Sequence, residues 1–367
     1  MTFRGAFHDK RVLVTGHTGF KGSWLSLWLH RLGAKVQGYA LEPETDPSLF
    51  GLARIGECLQ HEVGDLRDMD HLMAVFNRFQ PEVVFHLAAQ AIVRRSYQEP
   101  KETVDVNVGG TVNVLEAIRR TPSVQAAVMI TSDKCYENRG WIWGYRENDP
   151  MGGHDIYSAS KGAAELIITA FRRSFFPESS GRKLGLASVR AGNVIGGGDF
   201  GVDRIIPDAV RALRDRQRLR VRNPRSVRPW QHVLDPLAGY LTLAERLLES
   251  PQRHAGAWNF GPDLQEIVPV EALIDRFFKT MGAGEWEDVS AGNPGDLHEA
   301  NFLWVATDKA NLELHWRPIY SIPKAVDATA RWYKRVILDG GDARQACFED
   351  LGTFLDEARR QSAYWAS

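Results

Sequence analysis

Three short stretches of this 367-residue sequence bring together residue types that can move protons and hydride. Tyr157-Ser-Ala-Ser-Lys161 sets a phenol and an ammonium four residues apart, which on an α-helix places them on one face, one turn from each other. A lysine cation beside a phenol favours the phenolate and is expected to lower its pKa from about 10 towards neutrality. Tyr157 therefore reads as a base that takes a hydroxyl proton while hydride leaves the same carbon. Thr131-Ser-Asp-Lys-Cys-Tyr136 sets a hydroxyl, a carboxyl and an amine in succession. Loss of water across two carbons needs one proton removed and another delivered to the departing hydroxyl. Asp133 reads as the acid, kept protonated by burial, and Lys134 as the base, its pKa of about 10.4 lowered by desolvation. Seen alone, either pattern also occurs on solvated surfaces. The third stretch, Gly16-His-Thr-Gly-Phe-Lys-Gly22, has the G-x-x-G-x-x-G spacing of a turn that brings backbone close to a pyrophosphate and aims helix N-terminal amides at it.

Positioning these groups requires alternating strands and helices. Arg11–Thr15 is a compact apolar run feeding the glycine turn, and Trp24, Leu25, Leu27, Trp28 and Leu29 behind it have helical spacing up to Gly33. Residues 34–41 read as a second strand, Met69–Phe79 as a helix, Val83–Ala88 as a buried strand, Val104–Arg119 as a helix, Ala126–Ile130 as another strand, Tyr157–Phe171 as a long helix and Leu184–Arg190 as a strand. This alternation predicts an α/β fold, a doubly wound parallel sheet of the Rossmann type, with its ligand beyond the carboxyl ends of the strands. The expected division is a dinucleotide-binding domain over 1–192, also receiving about 232–262, and a smaller C-terminal substrate-binding domain mainly over 193–367, with an indistinct boundary. Arg218–Arg228 carries five arginines around an expected hairpin.

Composition narrows the function. Apolar residues make up 44% and charged residues 25%, which argues against a disordered or fibrous chain. Lys plus Arg number 45 against 46 Asp plus Glu, so no global field draws in nucleic acid or an anionic membrane, and any anion is held locally. No uncharged apolar run approaches the roughly 18 residues that span a bilayer, and the first residues have no signal-peptide character, so a cytoplasmic location is expected. Cys58, Cys135 and Cys347 are odd in number and widely spaced, suggesting reduced thiols without a disulfide framework; no metal is expected.

Gly16–Gly22, Asp65, His86-Leu-Ala-Ala89, Asn107, Ser132 and the Tyr157/Lys161 pair together resemble the extended short-chain dehydrogenase/reductase family over essentially the whole chain. The resemblance implies a bound NAD contacted by Gly16, His17, Gly19, Phe20, Lys21 and Gly22. Asp65, Leu66, Leu87, Ala88 and Ala89 join them, and Tyr157 and Lys161 hold the nicotinamide ribose. It also implies that Ser132 and Tyr157 meet a substrate hydroxyl. NAD over NADP rests mainly on this likeness. Glu42, 20 residues past Gly22, could bond the ribose diol, whereas His17 and Lys21 pull towards a phosphate.

Within that family, Thr131–Tyr136 resembles the active-site stretch of sugar-nucleotide 4,6-dehydratases. Lys134, where many have glutamate, and the run Gly16–Trp24 are similar to the branch acting on CDP-glucose. Glucose on dTDP, or UDP-N-acetylglucosamine, is the nearest alternative substrate; a 4-epimerase and a silent NAD-binding sensor are further ones. Guanidinium forks match phosphate oxygens, so Arg204, Arg220, Arg222, Arg225 and Arg228 are candidates for the substrate's pyrophosphate. By likeness Gln90, Asn193, Arg204, Arg228 and His232 contact the nucleotide sugar, although His232 reads equally as a structural histidine. A homodimer or homotetramer, paired through the helices at Val104–Arg119 and Tyr157, is also implied.

Overall fold

Buried parallel strands need apolar side chains on both faces, and the runs read above supply them. The computed structural model describes residues 2–263, 267–290 and 303–366. Its main sheet contains β1 (Arg11–Thr15), β2 (Lys35–Ala40), β3 (Gln60–Val63), β4 (Val83–His86), β5 (Ala126–Ile130), β6 (Gly185–Ala191) and β7 (Gly256–Phe260). The strands lie in the order β3-β2-β1-β4-β5-β6-β7, and every pairing is parallel. The helices are α1 (Phe20–Arg31), α2 (Met69–Phe79), α3 (Thr111–Arg120), α4 (Ile156–Phe175), α5 (Ile205–Arg214) and α6 (Leu234–Glu249). Alternate strand residues face two cores. Val12, Val14, Phe85, Val128 and Val189 pack with Trp24 and Trp28 of α1 and Leu237 and Leu241 of α6. Leu13, Val84, Ala127 and Met129 pack with Phe76 of α2, Leu115 and Ile118 of α3 and Ile168 of α4.

The chain returns to this sheet after leaving it, because β7 pairs with β6 from Gly256 opposite Ala187 to Phe260 opposite Ala191. Around it, Val194–Ile195 pairs with Gln231–His232, and the helices Val270–Met281, Ile322–Tyr333 and Ala343–Arg360 join the first core through Phe277, Trp332 and Phe354.

Two expectations need correction. Arg218–Arg228 forms no hairpin: Leu219–Val221 pairs in parallel with Trp286–Asp288, and Val227–Arg228 pairs antiparallel with Val268–Pro269. Each short strand found a distant partner that local alternation does not specify. The helix expected over 104–119 is broken into Pro100–Val104, a π-helical turn at Asp105–Gly110, and α3. At the π turn the Asn107 side chain is drawn into the loop after β4, accepting from Gln90 N at 2.8 Å and donating to Ser160 Oγ at 2.9 Å. No helix among the described residues is long and apolar enough to cross a membrane.

Candidate active site

The glycine turn follows β1 and opens α1. Gly16 has φ +76°, and a Cβ there would stand 2.6 Å from Ala88 N, while a Cβ at Gly22 would stand 2.1 Å from the Gly16 carbonyl oxygen. Neither position admits a side chain. Gly19 caps the helix with no side-chain hydrogen bond, leaving the first-turn amides open towards a ligand. Leu87 and Ala88 follow β4, and Thr15 Oγ1 accepts from Ala88 N at 3.3 Å, so the two strand ends meet beneath the turn. A cradle without Cβ atoms, closed by a helix N-terminus at the carboxyl end of the central strands, fits a dinucleotide pyrophosphate.

The flanking groups are less open than expected. The His17 ring is buried against the backbone of Gly38, its Nε2 2.7 Å from His61 Nδ1. Burial, then the nearby His61, pushes its pKa down to about 3. A neutral ring offers no charge to a ribose phosphate, so the expected pull of His17 towards NADP is absent. Glu42 lies exposed beyond the end of β2. Asp65 accepts from Arg67 N at 2.9 Å and pairs with its guanidinium, which holds the carboxyl below its usual range. Leu66 is buried beside Gly110.

Ser132, Asp133 and Lys134 leave the end of β5 as one tight turn, and α4, capped by Asp155 accepting from Ser158 N, brings Tyr157 and Lys161 beside it. The structure therefore joins all five predicted groups. Ser132 Oγ donates to Asp133 Oδ1 at 3.0 Å and accepts from Lys134 N at 3.2 Å, close beside the Tyr157 phenol. Asp133 is buried, and desolvation raises its pKa against the pull of Lys134, as an acid requires. Lys161 Nζ lies 5.9 Å from the centre of the Tyr157 ring. The expected fall in the phenol pKa does not occur: burial pushes Tyr157 up to about 12, opposed by Ser132 and Arg204. Desolvation of a phenolate outweighs a cation at that distance. Burial also lowers Lys161 to about 8, with Lys21 adding to the fall, and lowers Lys21 to about 8, with Arg204 adding to it. Lys21 thus belongs to this cluster, beside Asp133 and Asp199, a placement its position in the glycine turn did not disclose.

The predicted substrate contacts separate into two groups. A Cβ at Gly192 would meet Asp133 Oδ2 at 2.8 Å and Pro229 Cγ at 3.5 Å, so the residues next to Asn193 and Arg228 in sequence lie against the acid. Arg204 is held by Asp199 at 2.9 and 3.0 Å and sits within electrostatic reach of Tyr157. By contrast, Gln90 turns inward, donating to Thr103 Oγ1 at 2.8 Å and accepting from Ile92 N at 2.5 Å. His232 is buried with its ring 5.2 Å from that of Tyr320 and its Nδ1 accepting from Leu234 N at 3.3 Å. Arg220 pairs with Glu287 at 3.6 Å. Among the described residues no group of three or more His, Cys, Asp or Glu is arranged to hold a metal ion.

A seven-stranded parallel sheet with the glycine turn at its centre and Ser132, Tyr157 and Lys161 at its carboxyl end defines an extended short-chain dehydrogenase/reductase. Within that class the chain belongs to the GDP-mannose 4,6 dehydratase family, whose model matches residues 13–329. It is 48% identical over 337 residues to a CDP-glucose 4,6-dehydratase of Salmonella typhimurium, covering 91% of this chain and 93% of the relative. A probable dTDP-glucose 4,6-dehydratase of Sinorhizobium fredii is 26% identical over 341 residues, covering 88% and 92%. Among solved structures, a UDP-glucose-4-epimerase from Stenotrophomonas maltophila with bound NAD and formylated UDP-arabinopyranose superposes with a TM-score of 0.76 at 21% identity, covering 90% of this chain and 100% of the other. A dTDP-glucose 4,6-dehydratase from Bacillus anthracis in complex with NAD gives 0.71 at 20%, covering 89% and 96%. These two likenesses concern the fold.

Proposed function

We propose that this chain is an NAD-dependent sugar-nucleotide 4,6-dehydratase that converts CDP-glucose to CDP-4-keto-6-deoxyglucose and water. The observation that carries the reading is the buried Asp133, hydrogen-bonded to Ser132 beside Tyr157 and followed directly by Lys134. An epimerase needs no such acid and base beside its tyrosine, and neither does a sensor. The 48% identical relative supports CDP as the nucleotide.

In this reading the Gly16–Gly22 turn holds the pyrophosphate of NAD, and Tyr157 and Lys161 hold the nicotinamide ribose. A bound NAD would supply reversible hydride chemistry, with no net change in its own oxidation state over a turnover. Tyr157 takes the C4 hydroxyl proton in its phenolate form, the minor one while burial holds its pKa at about 12. The resulting 4-ketone acidifies the C5 hydrogen, which Lys134 removes as a proton and gives back to C5 when hydride reaches C6. Asp133, whose pKa burial raises, gives its proton to the C6 hydroxyl as water departs. Arg204, Arg228 and Asn193 are assigned to the nucleotide diphosphate.

Self-association through α4 and the segment leading into α3 belongs to the same reading. Leu166 is 62% exposed, and Val104, Phe175 and Ile156 are also exposed on these helices, an apolar surface that a second copy would cover. The three free cysteines suit a reducing cytoplasm. The test is incubation of the purified protein with CDP-, dTDP-, UDP- and GDP-glucose, following loss of one water by mass. Loss is expected fastest with the CDP sugar; four intact sugars would count decisively against a nucleotide-glucose dehydratase.

A further inference from the structure

Beneath the site lies a buried ion pair that takes no part in the proton transfers just described. Glu165 follows Tyr157 and Lys161 on the same face of α4, and its carboxylate meets Arg190 of β6 at 2.8 Å, with side-chain exposures of 1% and 3%. Glu165 also accepts from Ser188 Oγ at 2.7 Å and from Thr131 Oγ1. Arg190 Nη1 donates to the Tyr136 hydroxyl at 2.6 Å and to the Glu147 carbonyl at 3.1 Å, and its guanidinium lies over the Tyr136 ring, 4.8 Å from the centre. Tyr136 in turn donates to Asn259 Oδ1 on β7 at 2.8 Å. Thr131 and Tyr136 are the residues on either side of Ser132-Asp-Lys-Cys135. The turn that carries the acid and the base is thus tied at both ends to one ion pair, whose carboxylate rises from the helix of Tyr157 and Lys161.

We propose that Glu165 and Arg190 are a positioning pair that sets the Asp133–Lys134 turn in register with Tyr157, so that water loss and C4 oxidation act on one pose of the sugar. The inference rests on the dehydratase reading and adds to it the residues that couple its two halves. A buried ion pair contributes little net stability beside apolar residues of the same shape, because desolvation of both charges offsets their attraction. Here it joins two separate elements whose relative placement decides the chemistry, and a misplacement of about 1 Å costs about a hundredfold in rate. A Cβ at Gly162 of α4 would stand 3.2 Å from the Cys135 carbonyl oxygen, so helix and turn already approach closely. The ion pair fixes how they are aligned.

Removing one member alone would strand a buried charge and threaten folding, so the test loosens the ties. Thr131→Val with Tyr136→Phe keeps the shapes and deletes both hydroxyls. The double variant is expected to form the 4-ketone, trapped with borodeuteride, within about threefold of the parent rate, yet to lose water about ten- to a hundredfold more slowly. Thr131→Ser with Tyr136 intact is expected to restore water loss. The paired replacement Glu165→Leu with Arg190→Met, which leaves no charge behind, is expected to give the same split. Parental water loss in either folded variant, or equal loss of both steps, would overturn the proposal. Amide hydrogen exchange across residues 131–136 is read on the same samples and is expected to quicken in the variants; unchanged exchange would overturn it whatever the chemistry. A parent protein that dehydrates no sugar, with exchange quickened as expected, would remove the dehydratase reading and leave the positioning pair standing.

Discussion

Asp133 packs against the backbone of Gly192, so closely that a Cβ at residue 192 would lie 2.8 Å from Oδ2. The short, buried aspartate cannot swing aside without leaving its hydrogen bond from Ser132. Gly192→Ala is therefore expected to displace the carboxyl by tenths of an ångström or more, slowing water loss by about ten- to a hundredfold while the 4-ketone still forms. Single-turnover mass analysis with borodeuteride trapping measures both steps. Parental water loss in this variant would show that the Asp133 position is not critical.

Tyr157 and Asp133 serve successive steps, and their variants separate them. Tyr157→Phe removes the phenol assigned to the C4 hydroxyl, and ketone formation is expected to fall by about 10²–10⁴. Ordinary ketone formation in that variant would remove Tyr157 from the role of base. Asp133→Asn keeps the shape and deletes the acid, so trapped ketone is expected to appear and persist.

The sequence disclosed those two groups for different reasons than it concealed their supports. A four-residue spacing on a helix and a hydroxyl-acid-amine run after an apolar strand are local patterns, and β5, α4 and the glycine turn formed where they were read. The Glu165–Arg190 pair was less legible, although Glu165 continues the spacing of Tyr157 and Lys161 and Arg190 interrupts an apolar strand. Charged residues in such positions acquire meaning only when the sheet brings β5, β6 and β7 together. The placement of Lys21 beside Asp133 and the pairing of Leu219–Val221 with Trp286–Asp288 depend on contacts far apart in sequence, which no local period encodes. The Tyr157 titration is illegible in the sequence, which shows the cation nearby but not the depth of burial.

Lys161 links function to stability. Burial lowers its pKa from 10.5 to about 8, so between those values the unfolded chain binds more protons and stability rises with pH. Below about pH 8 the protein carries the full cost of a buried ammonium, on the order of 3 kcal/mol for such a shift. Lys161→Met removes that cost. The variant is expected to be inactive yet to unfold at a higher temperature at about pH 7, and this advantage is expected to shrink by about pH 9.5, where the parent's lysine is neutral. Thermal unfolding of both proteins at the two pH values checks the sign; a less stable variant at neutral pH would mean that contacts of the ammonium outweigh its desolvation.

The last prediction concerns the fate of one hydrogen. With Tyr157 and Asp133 serving oxidation and elimination at a single enclosed cluster, the hydrogen that leaves C4 has a return destination two carbons away on the same sugar. CDP-glucose carrying deuterium at C4 is expected to yield product with the label at C6, and a mixture of doubly labelled and unlabelled sugars is expected to show no crossover between molecules. The incoming hydrogen at C5 has another source. Lys134 exchanges with solvent, so in deuterated water the product is expected to gain deuterium at C5 from unlabelled substrate. Nuclear magnetic resonance distinguishes the two positions in one sample. Loss of the C4 label to the medium, or its appearance in a second sugar, would separate oxidation from reduction and leave the proximity of Tyr157, Asp133 and Lys134 without the sequence of steps assigned to it.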